Sequence, residues 1–307
     1  MSERTADGSR AALVRGIVSR PGPTVAALFI VVLILVAVAA PIVSPYSPTA
    51  QLDIVRQKAQ PPSWTHPFGT DLASRDLLSR VIYGGRTSLS VALLAVVLST
   101  TLGVAVGMIS GYAGGITDAL MMRTLDALLA IPRVLLLIVA LSFLSNGGET
   151  ALILGIGLTG WFGMSRLVRA EVMATKPREY VAAAVALGAS RRRILLRHIL
   201  PNVIGPAIVS ATVAVAQVIA LEAGLSFIGL GARTAHASWG SIILDGHGTF
   251  AEFWWIPLFP GLAVVATALA FNVLGDGLRD VVSGRQLPSR TLRSVILNEG
   301  KYPARAG

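Results

Sequence analysis

The sequence REYVAAAVALGASRRRILLRHILPN, residues 178–202, is the most polar long segment that lies between strongly apolar ones. Its alanine-rich part, 180–187, favours a helix because alanine has the highest helix propensity. Gly188 predicts the end of that helix, since glycine readily adopts the left-handed conformation of a C-terminal cap. Ser190 is a good N-cap for a second helix, and Pro201 either ends that helix or starts the next one. Two short helices joined by a glycine predict a compact element that could dock on a soluble partner.

The composition indicates an integral membrane protein. The 307 residues are 53% hydrophobic and only 14% charged, whereas soluble proteins average about 25% charged residues. Several apolar runs reach the roughly 20 residues that a helix needs to cross a bilayer. The 26 Lys and Arg outnumber the 16 Asp and Glu, but they lie between apolar runs. They therefore favour membrane orientation and anionic lipid contact over nucleic-acid binding.

Six apolar segments predict an all-α membrane fold with six transmembrane helices. The predicted spans are 24–43, 88–110, 117–144, 150–167, 203–225 and 255–274. The basic tails 1–23 and 277–307 and the basic loop 168–202 are predicted to be cytoplasmic. Within the first span, 37–39 resembles a signal-peptidase site, but the long basic segment before it favours a retained helix.

The proline-rich segment 44–87 is predicted to be extracytoplasmic, before a five-helix core over 88–276. Its part HPFGTDLASRDLLSR, residues 66–80, predicts a loop that leads into an amphipathic interfacial helix. The charges of Asp71, Arg75, Asp76 and Arg80 are expected to pair there at helical spacing. A lead-in to the second span is the preferred interpretation, and contact with a soluble receptor is the alternative.

Two local patterns indicate how the spans pack. Gly103 and Gly107 form a small-xxx-small pattern that allows close approach of another helix. Phe253, Trp254 and Trp255 are typical of an aromatic belt at the membrane interface.

Ionisable residues inside predicted spans are costly and usually face the bundle interior or a water-filled path, and the candidate pathway residues among them are Asp126, Arg133 and Glu222. Asp126 and Arg133 are seven residues apart on the third span, which predicts one face and a separation of about 10 Å along the axis. Pro132 should kink or loosen that helix. Glu222 lies in the outer part of span five. All three could either stabilise the bundle or line a pathway for a polar substrate.

The sequence argues against catalysis by this chain. Its lysines, Lys58, Lys176 and Lys301, are not followed by Ser or Thr, so the chain lacks a phosphate-binding loop for ATP hydrolysis. Ser226 is a candidate nucleophile for intramembrane proteolysis by position, but no histidine falls within a predicted span to serve as its base.

A structural metal site is not expected. The chain has no cysteine, which excludes disulfides and Cys-ligated metals. No two histidines have metal-ligand helical spacing. A transient metal contact by His66, His236 or His247 at the outer mouth stays open.

The 178–202 segment resembles the EAA loop of ABC-importer permeases. The matching positions are Ala183, Ala184, Gly188, Leu200 and Pro201. Ala182 stands where the family has its glutamate, with Glu179 one turn earlier, and His198 replaces an aliphatic residue.

Further segments resemble the C-type permease subunit of the dipeptide, oligopeptide and nickel importer family, over about residues 20–285. They are HPFGTD at 66–71 with 74–76 and 78–80, Arg123 with Asp126, Ile131-Pro132, Glu222 with LSFIGLG at 225–231, SWG at 238–240, and Asn272 with GDGLRD at 275–280. Ser283-Gly284 and Arg133 depart from the family pattern.

The resemblance implies half of a translocation channel, multi-pass in the bacterial inner membrane with both termini cytoplasmic. It implies four partners besides membrane lipid: a homologous B-type permease subunit, two ATP-binding subunits that hold ATP and Mg, and an extracytoplasmic substrate-binding protein. The residues that would couple to the ATPases are Glu179, Ala182, Ala183, Ala184, Gly188, Ala189 and Ser190. The expected substrates are peptides, with nickel complexes, haem or another small solute as alternatives.

A secondary transporter driven by an ion gradient is a less favoured alternative. It would be indicated by an inverted repeat with unwound helices at the midplane, and the sequence has no convincing repeat.

Overall fold

The protein is described by a computed structural model over residues 20–53, 56–143, 148–231 and 237–283. Over these residues the chain is helical or irregular, apart from one isolated bridge between Thr70 and Asp76. The helices in chain order are α1 (Pro21–Val38), α2 (Ala40–Val43), α3 (Leu77–Ala113), α4 (Gly115–Leu129), α5 (Arg133–Phe143), α6 (Gly148–Thr175), α7 (Glu179–Ala186), α8 (Arg191–Ile194), α9 (Leu200–Phe227), α10 (Trp239–Gly246) and α11 (Trp255–Val282). A π-helical turn, Leu195–Ile199, joins α8 to α9, and a short 3-10 turn follows α10.

Within the described residues, five helical stretches are long and apolar enough to cross a membrane: α1, α3, α6, α8 through α9, and α11. The bent pair α4 and α5 brings the number to six. The predicted all-α membrane fold with six spans is confirmed in this sense. Arg20, just before α1, forms an ion pair with Asp280 near the end of α11. The first and last described residues therefore lie at the same end of the bundle. The predictions for 1–19, for His236 and for 284–307 fall outside the described residues.

The third span is broken at Pro132, where the sequence predicts a kinked or loosened helix, and the prediction of one shared face for Asp126 and Arg133 is wrong. Helices α4 and α5 meet at 87°. Pro132 lies in the break because it cannot donate a helical hydrogen bond and because it disfavours the helical conformation of the residue before it. Asp126 therefore lies on α4 and Arg133 opens α5, so the two do not share a helix face.

The second span begins earlier than its predicted start at Ser88. Asp76 caps helix α3, since its Oδ2 accepts hydrogen bonds from the backbone N–H of Ser79 at 2.8 Å and from its hydroxyl at 2.6 Å. Helix α3 then runs without interruption from Leu77 to Ala113. A separate interfacial helix over 66–80 is therefore not formed. Residues 66–76 are a folded loop in front of α3.

The close approach predicted at Gly103 and Gly107 is confirmed at the contact between α3 and α6. A Cβ atom at Gly103 would lie 2.5 Å from the Cβ of Met164, and one at Gly107 would lie 2.5 Å from the carbonyl oxygen of Ser165. The absence of side chains at these two positions lets the helix backbones approach.

In the part of the chain that the structure describes, two apolar cores hold the helices together. The larger core joins α1, α3, α9, α10 and α11, and extends to α5 and α6. The smaller core lies where α7 and α8 pack on the ends of α3, α6 and α9. Its buried members include Met108, Val168, Val181, Ile194 and Val203. The segment 178–202 thus packs against three spans, and not only against the two spans that it connects in the chain.

Pro201 does not end the helix that starts after Ser190. Helix α8, the π-helical turn and α9 form one continuous helical stretch, Arg191–Phe227. The wide turn lies directly before Pro201, where the backbone N–H of Leu200 bonds to the carbonyl of Leu195 five residues back. A π turn adds room in the helix at the point where proline lacks a donor. The predicted second short helix is therefore the start of a long span.

Candidate functional site

The predicted helix–glycine–helix element is present. Helix α7 ends in a Schellman motif, in which Gly188 has a φ of 75°. The N–H of Gly188 donates to the carbonyl of Val185, and the N–H of Ala189 donates to that of Ala184, both at 3.0 Å. These are the two hydrogen bonds that define the motif. Ser190 caps α8 as predicted, because its Oγ accepts from the N–H of Arg193 at 3.4 Å.

Helix α7 has one face against the protein and one face open. Val181 is 2% exposed and belongs to the smaller core, and Ala184 is also buried. Ala182, Ala183 and Leu187 are exposed, with Leu187 at 88%. The open face is therefore apolar and made mostly of small side chains.

The other predicted coupling residues divide between these two faces. Ala184 is buried, at 9% exposed, so it is not on the open face of α7, and its coupling role stays a prediction. Ala189 is half-buried against the smaller core. Glu179 and Ser190 are exposed, and Glu179 forms no ion pair within the described part of the chain.

An ionic latch that the sequence analysis missed holds the start of α4 against the end of α6. The guanidinium of Arg169 donates to both carboxylate oxygens of Asp118, each at 2.6 Å. The hydroxyl of Ser110 also donates to Asp118. Lys176 donates to the carbonyl of Tyr112 at 2.8 Å. The ion pair between Asp118 and Arg169 lies directly before α7. It therefore holds in place the end of α6 from which α7, with its exposed apolar face, continues.

Asp126, one of the three candidate pathway residues, forms an ion pair with Arg166 of α6. Both side chains are about half exposed. Asp126 is thus already neutralised at the surface of this chain, and it is separated from Arg133 by the break.

Arg133 reaches from the start of α5 to α6. Its Nη2 donates to the carbonyl of Ile156 at 3.1 Å and lies beside Gly160. Its Nε is buried and has no hydrogen-bond partner.

Glu222 is completely buried between three elements. Its two carboxylate oxygens accept from the hydroxyls of Ser88, at 2.9 Å, and Ser226, at 2.7 Å. Ser88 in turn accepts from the backbone N–H of Trp239 at 3.2 Å, and Ser226 accepts from Ser238 at 3.2 Å. Every hydrogen bond in this cluster points toward the carboxylate. Glu222 therefore fastens α10 to α3 and α9 and does not line an open path in this chain.

The same contacts account for Ser226 as a candidate nucleophile. Its hydroxyl is buried and donates to a carboxylate rather than to a histidine.

His66 is not placed at an open outer mouth. It is buried, and its Nδ1 lies 2.9 Å from Oδ1 of Asp76. His247 is exposed with Nδ1 against the carbonyl of Leu244, and His236 lies outside the described residues.

The outer loop forms an ion network that extends to α10. Asp71 pairs with Arg75 at 2.7 Å and also with Arg80. Both arginines reach Asp245 near the end of α10, at 3.3 Å and 2.7 Å. The predicted pairing of Asp71 with Arg75 is therefore confirmed, but in a loop instead of a helix. Asp76 pairs with His66 and not with Arg80.

The aromatic segment 253–255 is only partly a belt. Trp255 is buried, and its indole Nε1 donates to the carbonyl of Thr70 at 3.1 Å. Trp254 is exposed, as a belt residue would be. Trp255 thus connects α11 to the outer loop.

Comparison with known proteins places this chain among membrane components of transport systems. Residues 103–287 match the family described as binding-protein-dependent transport system inner membrane component. The chain is 40% identical over 259 residues to the dipeptide transport system permease protein DppC of Bacillus subtilis, covering 84% of this chain and 80% of that protein. It is also 40% identical over 255 residues to the oligopeptide transport system permease protein OppC of the same organism, with 83% of each chain covered.

Proposed function

The chain belongs to the family of binding-protein-dependent transport system inner membrane components, and we propose that it forms half of the translocation pathway of an ATP-driven peptide importer. The names of the two relatives described above refer to dipeptide and oligopeptide transport. Peptides are therefore favoured over nickel complexes or haem as the substrate class. The resemblance in the EAA-type loop supports the same assignment.

The observation that carries the proposal is the construction of α7. Its buried side, Val181 and Ala184, is packed against the protein, while Ala182, Ala183 and Leu187 are open. A short helix with a small-residue outer face admits close approach of another protein, and the Schellman turn fixes its end. We assign this face to contact with an ATP-binding subunit.

In this proposal two ATP-binding subunits supply ATP and Mg chemistry, because the chain has no phosphate-binding loop of its own. A homologous permease subunit completes the pathway. A substrate-binding protein delivers the peptide on the opposite side. Movement of the ATPases is transmitted through α7 to α6 and α9, the two long helices that flank it.

Anionic lipid is the expected partner of the basic residues beside α7. Arg191, Arg192, Arg193 and Arg197 are exposed and form no ion pair within the described residues. Leu196, between them, is also exposed. Basic side chains next to an exposed apolar residue at the end of a span are suited to the lipid headgroup region.

The test is reconstitution of the complete complex in proteoliposomes. Addition of peptide-loaded binding protein should raise the ATPase rate. Labelled peptide should move across the membrane to the side opposite the binding protein. An assembled complex whose ATPase rate responds to the binding protein with nickel or haem, but not with peptides, would contradict the peptide assignment. A chain that transports peptide without any ATPase subunit would contradict the importer class.

A further inference from the structure

Arg133 places a guanidinium beside the middle of helix α6. Its Nη2 donates to the carbonyl of Ile156 and lies next to Gly160, where an added Cβ atom would come within 2.9 Å of it. Helix α6 runs from Gly148 to Thr175. At 1.5 Å per residue, Gly160 lies on the order of 20 Å from either end of this helix. The guanidinium is therefore at the depth of the bilayer interior.

The charge of Arg133 is not neutralised by this chain. No carboxylate of the described residues lies within 4 Å of it, and Asp126 is paired with Arg166. One donor is used by the carbonyl of Ile156, while the buried Nε has no acceptor. A guanidinium offers five N–H donors. An arginine at membrane depth is costly unless it faces protein partners or a water-filled cavity, so its remaining donors need water or a group from outside this chain.

The local backbone favours an anion at the same place. Arg133 is the first residue of α5, an eleven-residue helix that starts at the break after Pro132. The N-terminal end of a helix carries a partial positive charge. In transporters with discontinuous helices, such half-helix ends face anionic substrate groups. The guanidinium and the helix end here supply two positive groups at one position.

The surroundings of Arg133 are open toward the outside of this chain. Leu129, Ile131 and Val134 flank the break and are each more than 40% exposed. An apolar surface with one positive group in it suits a passage that a second permease subunit completes. Such a surface has few polar groups that would compete with the substrate for the guanidinium.

We propose that Arg133 binds the carboxylate of the substrate during its passage, and so favours peptides with a free C-terminal carboxylate. The proposal rests on the proposed function, since it takes peptides as the substrate. Every unmodified linear peptide carries this group whatever its sequence, so one fixed guanidinium can serve all of them. Removing the guanidinium would leave the carboxylate without compensation at the depth where its desolvation is most costly.

The experiment compares two peptides that differ only in a free or amidated C-terminus. Initial uptake rates are measured in proteoliposomes that contain the complete complex, with wild-type chain, Arg133→Met or Arg133→Lys. The binding protein is the same in every measurement. Its own preference between the peptides therefore cancels in the ratio of variant to wild-type rate.

The expected result is a loss of about ten-fold for the free peptide in Arg133→Met, as for one charge-assisted hydrogen bond. The amidated peptide should change by less than about two-fold, because a neutral amide gains little from a full charge. Arg133→Lys should restore most of the free-peptide rate. Arg86→Met, which removes an exposed arginine of α3 instead, should leave the ratio of the two peptides unchanged.

A second variant separates the position of the guanidinium from its charge. Gly160→Ala places a methyl group against Nη2 and should reduce the free-peptide rate selectively while the charge is kept. Equal losses for both peptides in Arg133→Met would overturn the carboxylate site. Loss of the assembled complex in Arg133→Met would overturn it too, and would assign the guanidinium to an acidic group of the partner subunit. If the wild-type complex transports neither peptide, the proposed peptide function itself fails.

Discussion

The carboxylate of Glu222 accepts a hydrogen bond from the hydroxyl of Ser88 at 2.9 Å, although the two residues are 134 positions apart. This contact joins α9 to α3, and the N–H of Trp239 brings α10 to the same hydroxyl. The indole of Trp239 also donates to the carbonyl of Val81 at 2.8 Å. One buried carboxylate thus determines how three segments of the outer half meet.

We expect Glu222→Gln to lower the thermal unfolding temperature of the purified complex. Both oxygens of Glu222 accept hydrogen bonds from hydroxyls, whereas the glutamine amide would present a donor to one of them. A buried polar group that loses its partner costs about 1–3 kcal/mol, and Glu222→Ala should cost at least as much. Ser142→Ala is the control, since that hydroxyl is exposed and donates to its own helix at Ile138. An unchanged melting temperature for Glu222→Gln would show that the network does not stabilise the fold.

Gly107→Ala should destabilise the contact between α3 and α6. The added methyl group would lie 2.5 Å from the carbonyl oxygen of Ser165, which is backbone and cannot move aside easily. Overpacking of this kind typically costs about 1–3 kcal/mol. Gly163→Ala on α6 is a matched control, because nothing lies within 4 Å of its Cβ position. Both variants are compared by melting temperature and by the yield of folded complex from membranes. Equal behaviour of the two would contradict the close approach.

The two acidic partners of Arg80, Asp71 and Asp245, should contribute very differently to the free energy of unfolding. Arg80 and Asp71 are 3% and 1% exposed, whereas Asp245 is 42% exposed. Asp71→Asn removes a buried charge that also accepts the N–H groups of Ala73 and Arg75. Its cost is expected to be on the order of 3 kcal/mol, against less than about 1 kcal/mol for Asp245→Asn. Chemical or thermal unfolding of both variants gives the comparison, and a larger effect of Asp245→Asn would contradict the order.

Several elements of the fold could be predicted because each depends on nearby residues. The helix of 180–187, the turn at Gly188 and the cap at Ser190 follow from local backbone preferences. The close contact at Gly103 and Gly107 follows from a spacing on one helix. The apolar runs predicted the spans for the same reason, since crossing a bilayer depends mainly on length and hydropathy.

The errors concern contacts between residues that are distant in the sequence. The spacing of Asp126 and Arg133 predicts one face of one helix, but the break at Pro132 separates them. Ala184 belongs to the predicted coupling segment, but only the fold shows that its side chain is buried. The partners of Glu222 could not be read from the sequence, because Ser88 and Trp239 approach it only when α3, α9 and α10 pack together. The SWG motif at 238–240 was the one available signal.

Both chain termini are expected on the cytoplasmic side. The ion pair between Arg20 and Asp280 puts the two ends of the described bundle on the same side, and the basic residues of the tails favour the cytoplasm. Reporter fusions at the N-terminus and after Gly307 should both be active only as cytoplasmic reporters. A reporter near Gln57 should be active only outside. Opposite signals from the two termini would contradict the arrangement with six spans.

Helix α7 is expected to couple the chain to the ATP-binding subunits. Gly188 has a φ of 75°, and nothing lies within 4 Å of its Cβ position. The cost of a side chain there is conformational, on the order of 1–2 kcal/mol for an ordinary residue in the left-handed region. Gly188→Val should misdirect α7, whereas Gly188→Asn should be tolerated because asparagine adopts this conformation more readily. Ala183→Glu should place a charge on the exposed face without disturbing the buried side.

Gly188→Val and Ala183→Glu are both expected to insert and assemble with the second permease subunit but to transport no peptide. ATP hydrolysis should lose its stimulation by the loaded binding protein, since a displaced contact uncouples the two sites. The measurement is the ATPase rate in proteoliposomes with and without binding protein and peptide, beside peptide uptake. Ala184→Glu is the contrasting variant: because Ala184 is buried, it should reduce the amount of folded chain before any question of coupling arises. Wild-type uptake in both Gly188→Val and Ala183→Glu would exclude α7 as the coupling element.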